Sequence, residues 1–245
     1  MSDIRGSVRR DRLDLMDADE VLTQLRSVGN PRNREGMARY GINVESALGV
    51  SVTELRKLAR RLGRDHRLAS GLWKTGVHEA RILAALVDEP EKVTPAQMER
   101  WARGFDSWDL CDQVCSNLFD RTPFAYEKAT EWAGRDEEFV KRAGFALMAA
   151  LAVHDKEAGD EDLAAFLPII EREADDERNF VKKAVDWALR QIGKRSRALN
   201  LAAITSAESI GTMDSRAARW IARDALRELR SEAVQSRLAR PRRFP

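Results

Sequence analysis

The 245-residue sequence contains few of the residues that form tight turns, with only 14 Gly and 7 Pro. All-β sandwiches and barrels join many short strands through turns rich in these residues, so the composition disfavours both classes. Hydrophobic residues make up 43% of the chain, which excludes a protein that is disordered throughout. The abundance of Ala, Leu, Arg and Glu instead indicates a helical protein.

Cysteine is scarce, and long apolar segments are missing. Cys111 and Cys115 are the two cysteines, too few for a disulfide framework. The longest unbroken apolar run, residues 145–153, has nine residues. Spanning a bilayer takes about 20. The N-terminal residues also lack the apolar core of a signal peptide. We therefore expect a cytoplasmic protein without a membrane segment.

Neither sign of charge predominates, because 42 Lys and Arg stand against 40 Asp and Glu for a formal net charge of +2. This balance argues against a nucleic-acid partner unless the charges are separated. Residues 157–177 carry nine acids and one base, whereas residues 178–197 carry seven bases and one acid. Helix pairs that place the two blocks on opposite faces would create a basic face suited to a polyanion. Two ordinary solvated faces are the alternative interpretation.

Capping residues and apolar stripes predict helices throughout, and no stretch has the sustained alternation of a strand. Ser51 or Thr53 can begin a helix that Gly63 ends. Thr94-Pro95-Ala96-Gln97 has the form of a capping box. We predict an all-α protein with helices near residues 15–28, 31–39, 52–62, 65–72, 78–87, 95–103, 107–118, 122–133, 137–153, 161–173, 177–193, 196–203 and 214–230.

Two segments resemble each other and indicate an internal repeat. The run Phe139-Val140-Lys141-Arg142-Ala143 recurs 41 residues later as Phe180-Val181-Lys182-Lys183-Ala184. Repeats of about 33–47 residues are typical of HEAT and armadillo helix pairs, which stack into a solenoid with a concave face. Chance similarity between amphipathic helices is the alternative. We expect an α-solenoid with a concave basic face over residues 13–232, a disordered N-terminus over 1–12 and a basic, disordered tail over 233–245.

The richest candidate for a site is the segment from Phe105 to Asp112. Asp106 or Ser107 can cap a helix whose first turn contains Trp108, and Asp112 follows four residues later on the same helical face. The expected buried stripe of this helix consists of Leu110, Cys111, Val114, Cys115 and Leu118. Either Trp108 packs in the core with Asp112 solvated beyond it, or both residues line a cleft.

Trp187 is a second aromatic residue in a charged setting, beside Asp186 and just after Lys182 and Lys183. An indole among bases can stack on a nucleotide, and packing in the core is the alternative.

Other chemistry has little support. No His-x-x-x-His motif occurs and no His lies near the two cysteines, so we expect no metal. The sequence also has no glycine-rich phosphate loop, and we expect no cofactor. His78-Glu79-Ala80-Arg81 is expected at the surface or in pairs between helices.

Taken in order, several pieces of residues 20–230 resemble the AlkD-type DNA alkylation repair family of HEAT-like-repeat DNA glycosylases. The pieces are Met37-Ala38-Arg39-Tyr40-Gly41-Ile42, Leu55-Arg56-Lys57-Leu58, Leu72-Trp73, His78-Glu79-Ala80-Arg81, Ser107-Trp108-Asp109-Leu110-Cys111-Asp112 and the two repeated runs, the second continuing through Val185-Asp186-Trp187-Ala188-Leu189-Arg190. The family often has a doubled Trp in the fifth piece, where this sequence has Ser107 before a single Trp108.

The resemblance implies a monofunctional enzyme that hydrolyses the N-glycosidic bond of cationic alkylated purines, such as N7-methylguanine and N3-methyladenine, in duplex DNA. It implies Asp112 as the catalytic carboxylate, flanked by Trp108 and Trp187, and Arg142 as the ligand of a phosphate near the lesion. Further phosphates would be neutralised by Lys182, Lys183, Arg190 and Lys194. We expect a monomer.

The chemistry of the substrate agrees with these residue types. An N7-alkylated purine already carries positive charge and leaves without a strong general acid, whereas the oxocarbenium-like transition state needs a nearby negative charge. Ionised Asp112 would supply it and orient the attacking water. Two alternatives remain open, a non-catalytic protein that binds bent or branched DNA, and a HEAT scaffold that binds proteins.

Overall fold

The computed structural model describes residues 16–240, and every regular element in that range is helical. The predicted all-α class is confirmed. Contacts divide this range into two compact units, the first comprising residues 16–100 and 105–122, the second residues 101–104 and 123–240. No helix among these residues is both long enough and apolar enough to cross a membrane. The predicted disordered N-terminus, 1–12, lies outside the described residues.

The first unit consists of short amphipathic helices. Its elements are α1 (Ala18–Ser27), α2 (Pro31–Arg39), α3 (Val52–Leu62), α4 (His66–Lys74), α5 (His78–Val87), most of α6 (Pro95–Ala102) and α7 (Trp108–Asn117). Helix α5 packs against α3, α4 and α7, and all but two of its ten residues are buried. It is therefore the central element against which α3 and α7 are positioned.

The second unit is built around one apolar helix. Its elements are α8 (Ala125–Ala133), α9 (Glu138–His154), α10 (Asp160–Ala164), α11 (Leu167–Arg172), α12 (Asn179–Gly193), α13 (Arg197–Gly211), α14 (Arg216–Leu229) and α15 (Glu232–Ala239). Residues 140–152 of α9 are all buried, because α8 and α12 pack against this helix. The repeated runs meet here, with the Phe139 and Phe180 rings 5.7 Å apart.

Several helices have the predicted bounds. Residues 31–39, 52–62 and 78–87 match α2, α3 and α5 to the residue. Ser51 caps α3 through its side chain, and Gly63 ends that helix with φ +76°, a conformation that favours glycine. Local capping chemistry therefore determines these ends.

Three predictions about elements are wrong. The single helix predicted over 161–173 is two helices, because Pro168 cannot donate a backbone hydrogen bond and its ring excludes the carbonyl of Ala164, where α10 ends. Helix α13 extends to Gly211 rather than to residue 203. Residues 233–239 of the predicted disordered tail belong to α15, which Ser231 caps. Residues 241–245 lie outside the described range.

Candidate active site and nucleic-acid interface

Helix α7 begins at Trp108 because the chain before it is held in an extended conformation. Ser107 has φ −158° and ψ 156° and is buried. Its side chain does not cap the helix, so Ser107 is the N-cap by backbone position alone. The carboxylate of Asp106 accepts a hydrogen bond from Asn43 Nδ2 at 3.2 Å. This contact ties the start of α7 to the segment after α2.

Trp108 and Asp112 both lie on the accessible side of α7. Each is half-buried, whereas the predicted stripe from Leu110 to Leu118 is fully buried. The Trp108 indole Nε1 donates to the backbone carbonyl of Tyr40 at 3.0 Å, which fixes the orientation of the ring. The Tyr40 side chain is itself 74% exposed. Trp108 and Asp112 are therefore both partly accessible from the same side of the helix.

The first turn of α7 is also held by a buried pair that the sequence pattern did not identify. His78 Nε2 lies 2.9 Å from Asp109 Oδ2, and His78 is only 2% exposed. Burial alone would lower the pKa of His78, but the hydrogen bond and negative charge of Asp109 outweigh it and raise that pKa above its usual value. A buried His–Asp hydrogen bond therefore anchors the first turn of α7, which contains Trp108.

Glu79 has a similar anchoring role for the segment that precedes α3. Its buried carboxylate accepts the backbone N–H groups of Leu48, Gly49 and Val50 at 2.8, 2.6 and 3.2 Å. Of the two placements predicted for this segment, pairing between helices is confirmed for His78, whereas Glu79 is buried and binds the backbone of residues 48–50.

The two cysteines of α7 are structural. Cys111 and Cys115 are completely buried, and burial raises the pKa of the Cys115 thiol well above its ordinary value. A thiolate nucleophile is therefore not available from Cys115. Within residues 16–240, no cluster of three or more His, Cys, Asp or Glu side chains is arranged to hold a metal ion.

In the second unit, Trp187 lies on the outward stripe of α12. Lys183, Trp187, Arg190 and Lys194 follow one another at helical spacing, and Lys183 is exposed while Trp187 is half-buried. The opposite stripe, which contains Val181, Ala184, Val185, Ala188, Leu189 and Ile192, is completely buried. Trp187 therefore belongs to the basic stripe of this helix rather than to its core stripe.

Two bases of this stripe that the sequence predicted as phosphate ligands form ion pairs with carboxylates. Arg190 forms ion pairs with Asp186 at 2.9 Å and with Glu228, and Lys194 binds Glu228 at 2.6 Å. Burial raises the pKa of Asp186 to about 7, and the negative charge of Asp224 adds to the effect while Arg190 opposes it. Carboxylates of α14 therefore already compensate the charges of Arg190 and Lys194.

Arg142, the predicted ligand of a phosphate near the lesion, is buried between two helices. It is only 5% exposed, and its Nη1 donates to the carbonyl of Phe180 at 2.5 Å. The guanidinium thus joins α9 to α12 at the point where the repeated runs meet, and it offers little surface to a phosphate. Lys182 lies 5.1 Å from the centre of the Trp220 ring, a cation–π contact. Of the five predicted phosphate ligands, Lys183 is the most accessible.

Acids of the acidic block form ion pairs with bases of neighbouring segments. Glu173 and Asp176 bind Lys141 of α9 at 2.7 and 3.0 Å. Asp176 also binds Arg178, the first residue of the basic block, at 2.6 Å. An ion pair therefore joins the two blocks where they meet along the chain.

Comparison with known proteins identifies relatives of this chain. A family model described as "DNA alkylation repair enzyme" matches residues 21–229. The uncharacterised proteins Lmo0209 of Listeria monocytogenes and Lin0241 of Listeria innocua are each 25% identical over 131 residues, which is 52% of this chain and only 58% of either relative.

Among solved structures, a similar one belongs to a new family of proteins related to the HEAT-like repeat DNA glycosylases with affinity for branched DNA structures. It has a TM-score of 0.74 at 20% identity and covers 94% of this chain and 99% of that one. This similarity confirms the predicted HEAT-like class of all-α fold. Because the family model covers most of the sequence, the chain belongs to the DNA alkylation repair enzyme family.

Proposed function

We propose that this protein is a DNA glycosylase that hydrolyses the N-glycosidic bond of cationic alkylated purines in duplex DNA. The observation that carries the proposal is the arrangement on α7, where Trp108 and Asp112 share one accessible helical face and the indole is oriented by the Tyr40 carbonyl. Membership of the DNA alkylation repair family supports the same class of reaction.

The proposed reaction depends on stabilising positive charge. As the bond between the sugar and the alkylated base breaks, the base leaves as a neutral purine and the sugar becomes oxocarbenium-like. The Asp112 carboxylate stabilises that charge and orients the water that attacks the anomeric carbon. The face of Trp108 adds a cation–π attraction of about 0.5–2 kcal/mol. The His78–Asp109 pair contributes by holding the first turn of α7 in position.

Trp187 and Lys183 supply the proposed contribution of the second unit. Both lie on the outward stripe of α12, where an indole can stack on or pack against nucleotide components and a free ammonium can neutralise a phosphate. The proposed role of Trp187 in DNA contact is supported by its position in the segment 180–190 that resembles the family and by its incomplete burial.

Base release from a duplex containing N7-methylguanine tests the catalytic role of Asp112. We expect Asp112→Asn to lower the rate by about 100-fold or more, in the range seen when one preorganised electrostatic group is removed, with DNA affinity retained. Glu45→Gln, the same change of charge at an exposed carboxylate of the first unit, should keep the wild-type rate. Equal rates for wild type and Asp112→Asn would refute the assignment.

A second candidate function is binding of bent or branched DNA without base excision. The burial of Arg142 favours this second function, because the residue predicted to bind the phosphate near the lesion has little surface accessible to DNA. The solved relative from a family with affinity for branched DNA has the same fold. Tighter binding to a four-way junction than to a duplex, with no base released, would support this function. A folded protein without DNA affinity at low salt would indicate a protein-binding scaffold.

A further inference from the structure

An arginine-lined pocket lies on the first unit, apart from the residues predicted to contact DNA. It has a volume of about 350 Å³ and is bordered by Arg56, Arg60 and Gly63 of the α3 region, by Arg64, and by Leu86 and Asn117. Arg56 and Arg60 are about one helical turn apart on α3, and Arg64 follows the glycine that ends this helix, so three arginines border one space. We call this the arginine pocket.

The arginines of this pocket have no acidic counter-ions. Among residues 16–240, no carboxylate forms an ion pair with Arg56, Arg60 or Arg64, although Lys57 on the same helix binds Glu54 at 2.7 Å. Arg64 donates to the backbone carbonyl of Asp88, which holds its guanidinium at the rim. Like charges spaced four residues apart on a helix repel each other by about 0.2–0.5 kcal/mol, so the cluster lowers the stability of the free protein.

The shape of the pocket leaves room for an anion. A Cβ atom added at Gly63 would meet no heavy atom within 4 Å, so the wall between Arg60 and Arg64 is open. Guanidinium groups present their donors in a planar fork that matches the oxygens of a phosphate. The volume equals that of about twelve water molecules at ~30 Å³ each, which is enough for a phosphate group with part of its hydration shell.

The pocket and the proposed catalytic residue are connected by one helix of the first unit. Asn117 at the border of the pocket is the last residue of α7, five residues after Asp112. At a rise of about 1.5 Å per residue, the two positions are separated by about 7.5 Å along the helix axis.

We propose that the arginine pocket binds a backbone phosphate of the DNA substrate through Arg56 and Arg60. This inference rests on the proposed DNA-directed function, to which it adds a phosphate site on the first unit. A phosphodiester of DNA and a free phosphate ion both present phosphate oxygens to the pocket. We propose that the ligand is the phosphodiester of DNA.

Salt-dependent binding to a fluorescently labelled, undamaged duplex tests the proposal. We expect Arg60→Gln to weaken binding several-fold and to reduce the slope of log K against log salt concentration by about 0.9, the loss of one phosphate contact. Arg56→Gln/Arg60→Gln should reduce both further. Arg61→Gln is the matched control, an exposed arginine of the same helix that does not border the pocket, and it should change the slope much less.

A second measurement distinguishes failure of the pocket proposal from failure of the proposed function. The wild-type protein is titrated with inorganic phosphate, and NMR signals of the arginine Nε–Hε groups report binding. If the duplex binds and Arg60→Gln and Arg61→Gln have equal slopes, the pocket proposal is refuted while the proposed function stands. If the duplex does not bind, both are refuted, and a phosphate-induced shift at Arg60 would then identify a site for a free anion. The proposal is supported if the duplex shifts the signals of Arg56 and Arg60 while inorganic phosphate at the same phosphate concentration does not.

Discussion

At the scale of single residues, the accessible face of α7 is determined by contacts from distant parts of the chain. Trp108 is oriented by the carbonyl of Tyr40, and the turn that follows is held by His78. The helical spacing of Trp108 and Asp112 was predictable from the sequence. The identity of their anchors was not, because a buried His–Asp pair between two helices has no signature in local sequence.

The His78–Asp109 pair predicts a pH-dependent contribution to stability. Because the pKa of folded His78 lies above that of the unfolded chain, its stabilising effect is complete below about pH 6.5 and is lost as pH rises through the folded pKa. We therefore expect the difference in free energy of unfolding between wild type and His78→Gln to be larger at pH 5.5 than at pH 9. Urea unfolding at both pH values measures it.

An Asp109→Asn background provides the control for this prediction. There the effect of His78→Gln should depend less on pH, because the carboxylate that raises the pKa of His78 is gone. A difference for His78→Gln that does not change with pH would contradict a charged His78 in the folded protein.

At the scale of elements, several helices were predictable because capping residues or glycine define their ends. The errors fall at Pro168, at the C-terminal half of α13 and at α15. Helix α13 ends at Gly211 and Ser231 caps α15, so local signals were present there but did not reveal how far the chain stays helical. Thr94 caps α6 as predicted, but the Gln97 amide bonds Asp88 at 2.7 Å instead of completing the capping box.

Two glycine substitutions should have opposite effects on stability, because one glycine lies at the contact between α8 and α9 and the other has open space around it. A Cβ at Gly144 would lie 2.5 Å from the Ala133 nitrogen and 2.9 Å from the Ala129 carbonyl oxygen, both backbone atoms that cannot easily move. We expect Gly144→Ala to destabilise the protein by about 1–3 kcal/mol. Gly36 of α2 has open space around its Cα, so Gly36→Ala should stabilise the protein by about 0.5–1 kcal/mol.

Chemical denaturation of both variants measures these effects. A neutral or stabilising Gly144→Ala would show that α8 and α9 can move apart at little cost, contrary to the close approach of their backbones.

At the scale of the whole molecule, the balance of charge has a different meaning from the one that the sequence indicated. Bases of the 178–197 block are paired with carboxylates of α14, and acids of the 157–177 block are paired with Lys141 of α9. Several charges of the two blocks are therefore compensated locally. Among the predicted phosphate ligands Lys183 is the most accessible to a polyanion, and our proposal adds the arginines of α3.

This distribution predicts which lysine of α12 contributes to DNA binding. We expect Lys183→Gln to reduce the slope of log K against log salt concentration by about 0.9, because its exposed ammonium is available to a phosphate. Lys194→Gln should leave the slope nearly unchanged, since Lys194 is already bound to Glu228. Fluorescence anisotropy over a series of KCl concentrations measures both. A larger effect for Lys194→Gln would show that its ion pair opens when DNA binds.

The sequence by itself determined the all-α class, most helix boundaries, the buried stripe of α7 and the pairing of Trp108 with Asp112 on one face. These features depend on interactions between residues no more than about four apart, and such interactions can be predicted from the sequence. Only the tertiary structure decided that Arg142 is buried, that Arg190 and Lys194 are neutralised, and that His78 meets Asp109. The reason is physical: the charge available to a ligand depends on the counter-ion that a different helix brings to it, and sequence spacing does not specify that partner.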